Sequence, residues 1–460
     1  VQEWHCRGHF PVASANFNCD LAGLIYDGRP FRPMSSTAIA SLPGFRDLTP
    51  RECAVRNYVF AAWRTAAARA GFVEWEGPML ESTDLYRKKS GDEIIGQLFH
   101  FTDKGEREVA LRPELTPTLA RIVAARHRDF KKPLKWFQIG PCFRYEAPQK
   151  GRLREFYQWN ADILGEASPA ADAELIALGI EALRSLGFTS DDFAVRLSDR
   201  ALWDRFLATA GIEADRTTVF LQLIDKWEKD PPAVMDAKLQ ALGTSREAVA
   251  AFMVSAREEP GPLGPVIDDL TARGLGGFVR IDPGIVRGLA YYTGTVFEFF
   301  SLRAGARAIA GGGRYDHLVS TLSDGAVSMP AAGFGMGDVV LGNLLEETPG
   351  PCARLHEALA AAASLDVWVV VADDERRAEA LRLLQELRGR GLRADSMLVA
   401  AKVGRQFQAA EAAGARTAVV VGSEWPVLKV KHLARREEVT TDRDGVWATL
   451  GQWMEVGRPV

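Results

Sequence analysis

Between Phe143 and Asp162 the chain reads FRYEAPQKGRLREFYQWNAD, twenty residues with four cations, three carboxylates and five aromatic rings. Guanidiniums grip phosphate or carboxylate through a planar fork, a ring can stack on a base, and a carboxylate beside an amide can receive an ammonium group. Extended backbone over 153–162 would put Arg154, Phe156, Gln158, Asn160 and Asp162 on one face, with Glu155, Tyr157 and Trp159 on the other. On the preceding extended stretch, 135–146, Arg144 and Glu146 share a face by the same rule. The intervening APQKGR suits a hairpin loop. Two guanidiniums, a ring, two amides and two carboxylates on one floor fit a nucleotide and a small zwitterion. A solvated hairpin with charges paired across its strands is the competing reading.

Other segments add chemistry of the same kind. In LRPELT, Glu114 and Thr116 lie two apart, so an extended backbone would point both the same way. VRGLAYYTGTVFE carries Arg287 and the Tyr291–Tyr292 pair, which offers flat walls with polar ends. The glycines of GGGRYD (311–316) and GFGMGD (333–338) would let backbone approach a ligand, with Asp338 able to cap the following helix. No GxxxxGK[ST] occurs, so an ATP site here is not a P-loop. The seven histidines show neither HExxH nor HxH spacing, and the five cysteines form no CxxC pair, which argues against a bound metal and a disulfide framework.

These residues need large elements to hold them. At 460 residues two or three domains are expected. A net charge of −4 argues against a globally basic nucleic-acid coat, scattered cysteines suit a reducing cytoplasm, and no apolar run of membrane-spanning length occurs. Residues 1–33 show no helical or strand period and read as an unstructured extension. From Thr49 a helix is predicted, with apolar positions Val55, Val59, Ala62, Trp63 and Ala66. Then come a strand ending at Pro78, an extended stretch over 108–117, the hairpin, a helix near 168–186 and a mainly helical insertion over about 197–262. Extended character returns over 277–302. A Pro/Gly pause at 347–352 reads as a linker, and from about 361 to 460 strands and helices alternate in βαβ fashion.

Taken in order, LPGFRDLTP, LRPELT, FRYEAPQKGRLREFYQ and RGLAYYTGTVFE resemble the histidyl-tRNA synthetase family of class II aminoacyl-tRNA synthetases, from about Leu42 to the C-terminus. The resemblance implies an α+β fold. Residues 34–350 would form a class II catalytic domain with an antiparallel sheet and the helical insertion, and 361–460 an α/β anticodon-binding domain. It implies a cytoplasmic homodimer that joins L-histidine to histidine tRNA through histidyl-adenylate, using ATP with Mg2+ and no metal held by the protein. Glu114, Leu115 and Thr116 would line the histidine site, with Gln158 and Asp162 at the ammonium. Arg144 would bridge carboxylate and α-phosphate, and Arg287 would stabilise the α-phosphate during attack. Tyr291 and Tyr292 would define the imidazole pocket. Phe156, Glu146 and Arg154 would serve the nucleotide, and Gln149 and Lys150 the tRNA acceptor end.

The chain departs from the family pattern at three places. Ala290 stands where Asp usually follows RGL, Val339 and Val340 replace the Glu-Arg ending of the third motif, and Ala147 replaces an arginine of the hairpin loop. Arg314 is a candidate to supply the missing cation. These losses leave a second reading, a non-catalytic paralogue such as the regulatory subunit of ATP phosphoribosyltransferase. The retained histidine signature and the complete βαβ tail favour catalysis.

Overall fold

The computed structural model describes residues 39–147, 149, 151–227, 230–286, 291–303 and 308–455. The extension expected over 1–33, and Lys150, Arg287 and Ala290, lie outside the described residues. The described chain forms two compact units, Ile39–His356 and the segment from Glu357 onward.

The first unit opens with α1 (Pro50–Arg69), started by a reciprocal capping box between Thr49 and Glu52 with Pro50 in the first turn. Short strands β1 (Val73–Glu74) and β2 (Leu80–Ser82) lead to α2 (Thr83–Ser90), β3 (Phe99–Thr102), β4 (Glu108–Leu111) and α3 (Thr116–Arg126). The extended stretch predicted over 108–117 therefore ends early. Leu115 is already in the helical region, and Pro117 sits in the first turn of α3, where its missing N–H costs nothing.

The hairpin forms as predicted, from β5 (Leu134–Phe143) and β6 (Glu155–Leu164), paired from Leu134↔Leu164 to Phe143↔Glu155. After α4 (Pro169–Ser185), β7 (Phe193–Asp199) precedes a helical run: α5 (Arg200–Thr209), α6 (Thr217–Asp225), α7 (Pro232–Ala241), α8 (Arg246–Glu258) and α9 (Gly264–Ala272). This run starts after Asp199, whose carboxylate caps α5, and continues past 262 because Pro-Gly-Pro at 260–262 interrupts the helices without ending them. Then come β8 (Val279–Ile281), β9 (Thr295–Ser301), β10 (Ala308–Arg314), α10 (Leu318–Leu322), β11 (Ala331–Gly337), α11 (Asp338–Glu347) and α12 (Pro349–Ala363). The pause at 347–352 is thus no loop: its prolines start α12.

One eight-stranded sheet carries the unit, in the order β1-β5-β6-β11-β10-β9-β7-β8. Its six central strands pair antiparallel, and the short β1 and β8 add at the edges in parallel. β2, β4 and β3 form a separate small sheet.

Alternation on β6 divides its side chains between two worlds. The odd-numbered face meets α1: Trp159 stacks on Trp63 at 5.7 Å between centroids and meets the edge of Phe334 at 5.1 Å. The Trp63 indole N–H points to the Met336 sulfur at 3.2 Å. All four are buried. The even-numbered face is left for polar side chains.

From Glu357 onward β12 (Val367–Val371), α13 (Arg377–Gly389), β13 (Ala394–Ser396), α14 (Val403–Ala412) and β14 (Thr417–Val421) follow the predicted βαβ order. The strand anticipated near 398 lies earlier, and Leu398 is exposed. Two further strands, β15 (Leu428–His432) and β16 (Glu437–Thr441), extend the sheet antiparallel before α15 (Gly445–Glu455). This unit has its own core, built on Val367, Val369, Leu383, Leu387, Val419 and Val430. Among the described residues no helix is long and apolar enough to cross a membrane.

Trp63→Ala would remove the ring between α1 and the sheet, at a cost of about 3–5 kcal/mol. Amide hydrogen exchange is expected to show the loss of protection in β6 and β11, with β12 and β14 unchanged.

Candidate functional site

A pocket of the first unit, about 390 Å³, lies on the even-numbered face of β6. Glu114, Thr116, Arg144, Phe156, Gln158, Asn160, Tyr291 and Tyr292 all line it, so segments far apart in sequence converge on one cavity. Its other wall is β11, and the register explains the GFGMG spacing. Gly333, Gly335 and Gly337 stand directly opposite Asp162, Asn160 and Gln158. A Cβ on Gly333 would overlap the Asp162 carboxylate, and one on Gly335 the Gln158 amide. Alternate glycines therefore make room for alternate polar side chains.

Asp162 sits behind this wall, 1% exposed. Its Oδ1 accepts a hydrogen bond of 2.5 Å from the Tyr315 hydroxyl, while its buried Oδ2 has no partner among the described residues. Burial pushes its carboxyl up from the usual 3.8 to about 7, with the Tyr315 hydrogen bond pulling the other way. The hydroxyls of Tyr291 and Tyr315 are likewise raised by burial and by neighbouring acidic groups, so both remain protonated donors. Tyr315 packs 5.9 Å from Tyr291, which lies 4.5 Å from Tyr292, giving an aromatic end to the cavity.

At the other end Arg144 Nε donates to the Pro113 carbonyl at 3.1 Å, and the guanidinium carbon lies 5.1 Å from the Phe156 centroid. The terminal nitrogens of Arg144 make no hydrogen bond among the described residues, so its fork can serve an anion. Arg112 does different work: fully buried, it ties the Pro141 and Gly77 carbonyls at 2.9 and 2.8 Å and so joins β4 to β5.

Several expected residues stand elsewhere. Leu115 is in the core, off the pocket wall. Arg154 precedes the first residue of β6, so strand alternation does not govern it. It donates to the Glu146 and Pro43 carbonyls and lies over the Tyr145 ring at 4.7 Å. Arg152 lines the pocket instead and pairs with Glu146, whose carboxylate is thereby held off the cavity. Gln149 is in the hairpin loop, its N–H donating to the Arg152 carbonyl at 2.9 Å. Asp338 does not cap α11: its carboxylate accepts from Arg46 at 2.7 Å and from the Tyr157 N–H at 2.9 Å.

Val339 and Val340 line the cavity, so an apolar wall stands where the third motif usually brings an arginine. Arg314 cannot replace it. Its guanidinium is buried and held by Asp172 at 2.6 Å, by Asp316 at 3.3 Å and by the Glu166 and Ser168 carbonyls.

Lys89 and Tyr315 escape the sequence reading, which gives Asn160 a face but no role. Lys89 belongs to a run of basic residues at the end of α2, where solvent exposure is the ordinary expectation. Here its side chain is 6% exposed, donates to Glu114 Oε1 at 2.5 Å and lies 4.3 Å from the Tyr291 centroid. Tyr315 follows directly on GGGR, and its position after the strand end gives no pattern to read.

A family profile described as Histidyl-tRNA synthetase matches residues 44–337, and one described as Anticodon binding domain matches residues 366–453. The chain belongs to the histidyl-tRNA synthetase family. A protein named histidine–tRNA ligase from Opitutus terrae is 41% identical over 434 residues, covering 89% of this chain and 97% of its own. Another of that name from Halobacterium salinarum is 37% identical over 420 residues, covering 87% and 95%. In fold, the chain is similar to the crystal structure of a histidyl-tRNA synthetase from a Nostoc species, with a TM-score of 0.69, 24% identity and coverage of 90% and 99%.

Because the folded value of Asp162 lies above its unfolded one, folding takes up a proton between about pH 4 and pH 7, and stability falls as pH rises through that window. Asp172, raised by burial to about 6 despite Arg314, adds to the same trend. Asp162→Asn is expected to gain on the wild type in urea-unfolding free energy from pH 5 to pH 8; a constant difference would assign Asp162 an ordinary carboxyl.

Proposed function

We propose that this chain joins L-histidine to histidine tRNA. In the first step a carboxylate oxygen of histidine attacks the α-phosphorus of ATP, forming histidyl-adenylate and releasing pyrophosphate. In the second the histidyl group passes to a hydroxyl of the terminal adenosine of the tRNA, releasing AMP. The observation that carries this reading is the polar strip on β6, which runs from the Arg144–Phe156 end to the tyrosine-walled end of one cavity. Successive same-face residues on a strand lie about 7 Å apart, so the strip from Phe156 to Asp162 is about as long as an aminoacyl-adenylate.

Adenine would stack on Phe156, with Arg152 rather than Arg154 beside the nucleotide. Arg144 would hold the α-phosphate and carboxylate together, and Arg287 would stabilise the charge that develops there, a contribution of about 3–4 kcal/mol per donor. Glu114, Thr116, Gln158 and the unpaired oxygen of Asp162 accept N–H groups of histidine, and Tyr291 and Tyr292 flank its ring. A side chain without ring nitrogens would leave these buried groups unpaired, which gives selectivity by binding alone. ATP would enter as its magnesium complex, the ion offsetting phosphate charge. Gln149, in the hairpin loop, and Lys150, which follows it in sequence, would serve the tRNA acceptor end, and the unit matching the anticodon-binding profile would meet the anticodon. We place the protein in the cytoplasm as a homodimer, its exposed Val73, Met79 and Leu80, in the segment that follows α1, offering an apolar contact.

Purified protein is expected to catalyse histidine-dependent ATP–pyrophosphate exchange, and Arg144→Ala and Arg287→Ala each to lower its rate by roughly 10²–10³-fold with folding intact. Folded protein without exchange would favour the regulatory-paralogue reading. Light scattering is expected to return about twice the chain mass of 50.4 kDa.

A further inference from the structure

The tyrosine-walled end of the cavity has the composition of a site for an organic cation. Tyr291, Tyr292 and Tyr315 gather there, and the quadrupole of such rings attracts ammonium and guanidinium groups. Glu114 is the only carboxylate among the described residues that line the cavity, and the Asp162 carboxyl lies behind Gly333. Arginine and lysine would suit such a place. Their side chains bring N–H donors of their own, so acceptors that reject a side chain without donors do not reject these. The α-ammonium is common to every amino acid and drops out of the comparison. Hydrogen bonding alone leaves the pocket open to cationic side chains.

Lys89 changes that balance. It stands in the last turn of α2, where Arg87 and Lys88 turn outward, to Asp84, Asp92 and Glu108 and to Asp324 respectively. Lys89 turns inward. Its side chain is 6% exposed, its Nζ donates to Glu114 Oε1 at 2.5 Å, and the same ammonium lies 4.3 Å from the Tyr291 centroid. The protein's own cation thus takes up the charge of Glu114 and occupies the ring that would draw a foreign one. A second cation brought beside it meets like charge where little water screens the repulsion. We propose that Lys89 is a specificity-determining residue that excludes amino acids with positively charged side chains, arginine and lysine, while a neutral imidazole passes. The inference rests on the proposed histidine activation and adds a discrimination that its hydrogen-bond acceptors do not supply.

The experiment is Lys89→Met in the full chain, which keeps a long side chain and removes its charge. Histidine-dependent ATP–pyrophosphate exchange is measured against two competitors of the same shape, L-arginine, which is cationic, and L-citrulline, which is neutral. In the variant the inhibition constant of arginine is expected to fall roughly ten- to hundredfold and that of citrulline to stay within about twofold of wild type. Lys89→Arg restores the charge and is expected to return the arginine value toward that of wild type. If Lys89→Met does not fold, Lys89→Gln, which keeps a donor toward Glu114, is expected to show the same split. The wild type supplies a check that needs no variant: citrulline is expected to compete at lower concentration than arginine. Arginine competing with the wild type as well as citrulline does would overturn the inference, as would equal changes, or none, for the two competitors in a folded variant. Wild-type protein without histidine-dependent exchange would instead defeat the functional reading on which the inference stands.

Discussion

The site depends on one constraint, the register between β6 and β11. Each polar side chain of the strip lies opposite a glycine, and a slip of one residue would set Phe334 and Met336 against two of the three residues Gln158, Asn160 and Asp162. The register is held from the other side of the sheet, where Trp159, Phe334 and Met336 pack beneath Trp63 of α1. Hydrophobic packing on one face thus fixes the hydrogen-bonding chemistry available on the other. The helix that closes the core and the glycines that open the pocket are two halves of the same requirement.

The cavity itself is electrostatically uneven. Its anion-seeking end has Arg144 and Arg152, and the third-motif position adds only the two valines there. Its other end holds Glu114 and Asp162 beneath tyrosine rings, with Lys89 offsetting Glu114 from behind. A buried carboxylate without a cation would be costly, and Lys89 lowers that cost while leaving one oxygen of Glu114 for a ligand. Arg314 does similar work farther back, offsetting Asp172.

Strand alternation makes the even-numbered face of β6 legible in the amino-acid sequence alone, because a period of two applies wherever the backbone is extended. It fails one residue beyond the strand end, at Arg154, and again at Leu115, where the helix has already begun. Lys89 reads as an ordinary basic residue at a helix end, since burial depends on what packs over it and not on its neighbours in sequence. Likewise β15 carries alternating lysines, of which Lys431 pairs with Glu438 on the adjacent β16, a pattern that sequence alone assigns equally well to a solvated loop. The linker expected at 347–352 is a helix start because proline that breaks a helix interior also begins one.

The short segment before α1 has a part in this arrangement out of proportion to its length. The Gly44 carbonyl accepts from the N–H groups of Arg154 and Glu155, where β6 begins, and Gly44 holds a φ of +86° that a side chain would resist. Two residues on, Arg46 grips Asp338, which also receives the Tyr157 N–H. Residues 44–46 thus clasp the loop end of the hairpin to the start of α11. A chain trimmed past Arg46 would keep every regular element among the described residues while losing these contacts to the start of β6 and of α11.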